Sequence, residues 1–132
     1  DNDIEVGASY AMGDINFGLG MLMADADDSN ATFLSVDGSF GALSAGVVFI
    51  DTEDANGAGG ESAFTIGAAY AVSDALTVDA MYGDSADGVF MNDDTYAVGF
   101  DYSMGGGVTL RGSLGQDHNG VDNHTLGFAM SF

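Results

Sequence analysis

The residues best equipped for chemistry in this chain are carboxylates. Asp25-Ala-Asp27-Asp28-Ser29-Asn30 and Asp54-Ala-Asn56-Gly57 crowd hard oxygen ligands together, which is what Ca²⁺ or Mg²⁺ requires. The first run lacks the central Gly and distal Glu of an EF-hand loop, and the second lacks most of the ligand set. Weak divalent-cation binding at Asp25, Asp27, Asp28 and Asp54 is the most they imply, and solvated loop charge is the plainer reading. His118 and His124 lie beside Asp117 and Asp122. A hydrolase or acyltransferase would also need a nucleophile within hydrogen-bond reach of such a His, and no nucleophile motif accompanies them. Exposed loop histidines explain them more simply, and no enzyme is expected.

Charge narrows the partners. The 132 residues carry a formal net charge of −20, with Arg111 alone against 21 Asp and Glu. A nucleic-acid backbone or an anionic headgroup would be repelled, so no nucleic acid is expected. Acidity of this degree suits a disordered chain, yet 46% of the residues are hydrophobic, enough apolar surface to fold. No run of about twenty apolar residues offers a transmembrane helix. The start at Asp1 lacks the basic and apolar regions of a signal peptide, so a removed signal or a fragment is expected.

The elements that must position these groups announce themselves as a repeat. Gly7-Ala-Ser-Tyr10-Ala-Met-Gly-Asp14 returns as Gly67-Ala-Ala-Tyr70-Ala-Val-Ser-Asp74 and as Gly99-Phe-Asp-Tyr102-Ser-Met-Gly-Gly106, with a degenerate copy at Gly38-Ser-Phe40. Tyr10, Phe40, Tyr70, Tyr102 and Phe132 thus recur about every thirty residues, the length of a hairpin with one tight turn and one longer loop. Short turns are predicted at Gly13-Asp14, Gly41-Ala42, Ser73-Asp74 and Gly105-Gly106. Longer connections, rich in Asp, Asn, Gly and Ser, are predicted at 24–30, 52–62, 83–94 and 116–123.

Between the breaks the chain alternates with period two. Ile4, Val6, Ala8, Tyr10 and Met12 share one face, and Glu5, Gly7, Ser9 and Ala11 the other; later segments repeat the split. No charge falls on the apolar face within these segments. Glu5, Asn16, Asp37, Asp79, Asp101, Thr109 and Arg111 all take the polar side. Val48 and Ile50, with Leu22 and Phe33, break the alternation and suggest contact with a subunit or a packed loop.

A soluble sandwich or lipocalin-like barrel would also alternate. Its solvent face, however, would be studded with Lys, Glu, Thr and Arg, whereas here the polar face is Gly, Ala, Ser and Thr with rare charges. That lining suits a water-filled lumen, with the apolar face toward lipid. The expected fold is all-β: a transmembrane antiparallel up-and-down β-barrel, one domain over residues 1–132. Tyr10, Phe40, Tyr70, Tyr102 and Phe132 would form an aromatic girdle at the headgroup level. Counting turns back from Phe132 gives about nine strands, the first starting on the long-loop side. Single-chain bacterial barrels have even counts, so an odd number of strands is expected upstream.

The segment Thr125-Leu-Gly127-Phe-Ala-Met130-Ser-Phe132 resembles the C-terminal assembly signal of outer-membrane proteins, with Met130 where an aromatic usually stands. The run from Val98 to Gly112 is similar to the last hairpin of general porins of the α-proteobacterial, Rhodobacter and Roseobacter type. The resemblance implies a sixteen-stranded, usually trimeric barrel in the outer membrane of a Gram-negative bacterium, of which about seven strands lie upstream. It implies passive diffusion of ions and small hydrophilic solutes, insertion by the barrel assembly machinery, and a constriction loop outside this sequence. Glu5, Asp37, Asp79 and Asp101 would favour cations. The alternative is a complete eight-stranded barrel acting as a non-pore anchor or adhesion module, with the first segment as an N-terminal arm.

Overall fold

The computed structural model describes residues 4–24, 29–53, 60–86, 94–117 and 119–131. Nine strands follow one another: β1 (Ile4–Met12), β2 (Ile15–Ala24), β3 (Ser29–Phe40), β4 (Leu43–Glu53), β5 (Glu61–Ala71), β6 (Leu76–Ala86), β7 (Asp94–Gly105), β8 (Val108–Gln116) and β9 (Asp122–Met130). Each pairs antiparallel with its sequence neighbours, in the order β1-β2-β3-β4-β5-β6-β7-β8-β9. The sheet is open, and the outer edges of β1 and β9 have no partner strand among the described residues.

β1 is fully paired with β2, from Ile4 opposite Met23 to Met12 opposite Ile15. It is therefore a strand of the sheet and not an arm, and the eight-stranded alternative is not favoured. β1 and β9 both run from the long-loop rim toward the short-turn rim, as every odd-numbered strand must in such a meander. At about 3.4 Å per residue and about 45° tilt, an eleven-residue strand such as β4 rises about 25 Å, the height of an outer-membrane barrel's apolar band.

Turn chemistry sets the register. Gly13 and Gly41 open their turns at φ 63° and 65°. In the β5–β6 turn the Ser73 hydroxyl accepts from the backbone N–H of Leu76 at 3.1 Å. The β7–β8 hairpin turns one residue later than Gly105-Gly106, at Gly106-Gly107, because the chain inserts a bulge: Ser103 faces Thr109, but Gly105 faces Val108. Gly106 and Gly107 take φ of 61° and 79°, the double left-handed geometry of a tight hairpin. Only glycine fits at Gly107, since a Cβ there would also strike the Ser131 carbonyl oxygen.

No hydrophobic side chain among the described residues is buried, and the large apolar ones stand exposed along the sheet. A soluble sandwich requires a core between two layers, and this sheet is a single layer with one apolar face.

Candidate functional site

Cross-strand partners share a face, so the ladder assigns every side chain. One row runs Ala11, Asn16, Asp37, Gly46, Gly67, Met81. The next runs Ser39, Ser44, Ala69, Asp79, Gly99, Ser113, and the one after it Thr77, Asp101, Arg111, Gly127. Glu5 faces Leu22, and Thr109 faces Ser103. Glu5, Asn16, Asp37, Asp79, Asp101, Thr109 and Arg111 therefore all occupy one face.

Several of these groups are held in place. Asn16 Nδ2 donates to Asp37 Oδ2 at 2.9 Å. The Asp79 carboxylate lies over Gly99, where any Cβ would come within 3.0 Å of both its oxygens. Arg111 Nε meets Asp101 Oδ1 at 3.2 Å, with the two side chains 61% and 48% exposed. This pairing cancels Asp101 as a source of field. Sequence reasoning missed Glu61, which the register places beside Thr52 in the row of Glu5. Glu61 falls inside the expected 52–62 connection, which the observed strand shortens by beginning at Glu61. Within the described strands the polar face then carries four uncompensated carboxylates: Glu5, Asp37, Glu61 and Asp79.

Tyr10, Phe40, Tyr70 and Tyr102 all stand on the opposite, apolar face near the short-turn rim, 66%, 56%, 51% and 44% exposed. Phe132 lies outside the described residues. A second aromatic group near the long-loop rim went unforeseen: Tyr82 faces Tyr96, and its ring centroid lies 5.9 Å from that of Phe64. The Tyr82 hydroxyl donates to Asp94 at 3.2 Å. The spacing of Tyr96 and Tyr102, six apart on one strand, is a signal that could have revealed two aromatic levels.

The apolar face is not wholly uncharged. Strands β4, β6, β7 and β9 extend past the expected segments, so that Asp51, Glu53, Asp84, Asp94 and Asp122 fall at apolar-face positions. All lie near the long-loop ends of their strands, Asp84 opposite Phe64 and Asp122 in the row of Tyr82 and Tyr96, at the level of the second aromatic group or past it. His124 faces Leu114 near that rim, and His118 lies outside the described residues. Thr125 and Gly127 sit on the polar face and Met130 on the apolar face opposite Val108. The expected divalent-cation ligands Asp25, Asp27, Asp28 and Asp54 also lie outside the described residues.

The four residues that broke the alternation belong together. Leu22 neighbours Ala31, Phe33 faces Gly20 and Ile50, and Val48 faces Ser35 and Thr65. They form one apolar patch on the polar face of β2–β4, toward the long-loop rim. A neighbouring subunit packed against the apolar face would not touch it.

A nine-stranded meander with one apolar and one small, acidic face is what a segment of outer-membrane barrel wall requires, and comparison with known proteins agrees. The sequence model of the Gram-negative porins matches residues 1–122. The chain belongs to the Gram-negative porin family. This places it in the outer membrane. A porin refined at 1.8 Å resolution superposes with a TM-score of 0.75 at 21% identity, over 98% of this chain and 51% of that one. Two triple variants of the Rh. blastica porin give TM-scores of 0.53 and 0.52, each at 21% identity over 99% of this chain and 56% of theirs. At these identities the likeness is one of fold. The chain spans about half the length of the porins it matches. Sequence comparison with curated proteins gives no match.

Proposed function

We propose that this porin chain forms one side of a water-filled channel through which ions and small hydrophilic solutes diffuse passively, with a preference for cations. What supports this reading most is the polar face: small residues leave a lumen open, and its four uncompensated carboxylates repel anions. Because β1 and β9 run in the same direction, antiparallel closure takes an odd number of further strands, which a sixteen-stranded barrel supplies. We assign the protein to the α-proteobacterial type of general porin on the residues of its last hairpin, and expect a homotrimer. Thr125, Gly127, Met130 and Phe132 are the residues we expect the barrel assembly machinery to read.

Planar-bilayer recording of the intact protein tests the channel. Large, stable conductance steps are expected, with a reversal potential on the cation-selective side in a salt gradient. Replacing Asp37 and Asp79 together by Asn should shift that potential toward the unselective value. Electrical silence of the folded, inserted protein would refute the proposal.

A further inference from the structure

The patch of Leu22, Phe33, Val48 and Ile50 is anomalous on a channel wall, since apolar side chains facing water gain nothing by being there. Its surroundings are specific. Phe33 stands beside a trough of about 370 Å³ whose floor and sides are Gly7, Ser9, Gly18, Gly20 and Ser35. Glycines at three of these positions leave the aromatic ring as a wall with open space along it, and the volume is that of a small-molecule site. Carboxylates bracket the patch along the wall: Glu5 and Glu61 in the row on the long-loop side, and Asp37 four residues along β3 from Phe33. At about 3.3 Å per residue, Asp37 lies about 13 Å from Phe33 along the strand.

From this juxtaposition we infer that the Phe33 patch and its glycine trough form a binding subsite for solutes that carry both an aromatic or alicyclic face and a cationic amino group. The ring of such a solute stacks on Phe33 and covers Ile50, while its ammonium is held by the field of Asp37, Glu5 and Glu61. Anionic aromatics meet the same patch but are repelled by its rim. Purely hydrophilic cations feel the field without the patch. This deepens the channel reading and rests on it.

The test measures current block of the intact, reconstituted protein by phenethylammonium, ethylammonium and phenylpropionate at low salt. Phenethylammonium should half-block at a concentration about tenfold below ethylammonium, the factor expected from covering part of one ring. Phenylpropionate should block least. Phe33→Ser and, independently, Ile50→Thr should bring the two ammonium compounds toward equal potency while conductance persists. Equal potency in the parent protein, or a ratio unmoved by both substitutions, overturns the inference and leaves the channel standing; absence of conductance defeats the channel itself. These 132 residues contain no cysteine, and Phe33→Cys placed in the intact protein with any other cysteine replaced supplies a single reporter. Labelling by a water-soluble thiol reagent in the open channel is expected, and protection there would mean that another segment of chain covers the patch, which also overturns the inference.

Discussion

Two regions of the polar face carry opposite chemistry on the same scaffold. Across β2–β4, toward the long loops, the wall presents Leu22, Phe33, Val48 and Ile50; across β6–β8, toward the short turns, it presents Asp79, Asp101 and Arg111. Hydrophobicity alone would put the first set on the outer face. The ladder refuses, because moving one residue to the other face moves every residue of its strand. Face is thus a property of register, and an individual side chain conforms to it whatever its polarity.

The largest break of this rule comes from placing one charge on neighbouring positions of β3. Leu34→Arg puts a cation on the apolar face and should destabilise the folded porin by about 2–4 kcal/mol in urea titrations in lipid. Ser35→Arg, one residue on and on the polar face, should cost about 1 kcal/mol or less. Equal losses would mean that the two faces do not see different solvents.

A smaller effect tests packing on the apolar side of the last hairpin. Gly112 lies beneath the Phe100 ring, which a Cβ would strike. Gly112→Ala should therefore cost about 1–3 kcal/mol by the same titration. Gly7→Ala, where the nearest neighbour is an ordinary 3.6 Å away, serves as its counterpart and should change stability little.

The smallest stability effect belongs to the ion pair. Both members are about half exposed, so a double-mutant cycle between Asp101→Asn and Arg111→Gln should return a coupling of about 0–1 kcal/mol. The electrical consequence separates the two: Arg111→Gln uncovers a carboxylate and should raise cation preference, whereas Asp101→Asn uncovers the guanidinium and should lower it. Identical reversal potentials would place the pair outside the conducting path.

Much of this was legible beforehand, and the reasons for the remainder are specific. Gly13, Gly41 and the Tyr10, Tyr70 and Tyr102 repeats marked the turns, and alternation placed Glu5, Asp37, Asp79 and Asp101 on one face, because a lipid-facing wall tolerates few exceptions. Strand ends were harder. Asp84 and Asp94 read as loop residues, since nothing in a single sequence says how far a strand projects past the bilayer. Leu22, Phe33, Val48 and Ile50 were recognised as exceptions, but only pairing shows that four residues spread over three strands are neighbours. The Asp101–Arg111 contact was hidden for another reason: a two-residue turn at Gly105-Gly106 would have set Asp101 opposite Leu110.

With the turn at Gly106-Gly107 an unbroken ladder would set Asp101 opposite Gly112, and the one unpaired residue near the end of β7 removes that offset. It works as a vernier, shifting the returning strand by a single step so that tyrosine meets leucine on one side and the chain's sole cation meets a counter-ion on the other. A three-glycine run that bears no charge thereby governs where the charge is neutralised, and the electrostatics of this stretch of wall is decided by counting.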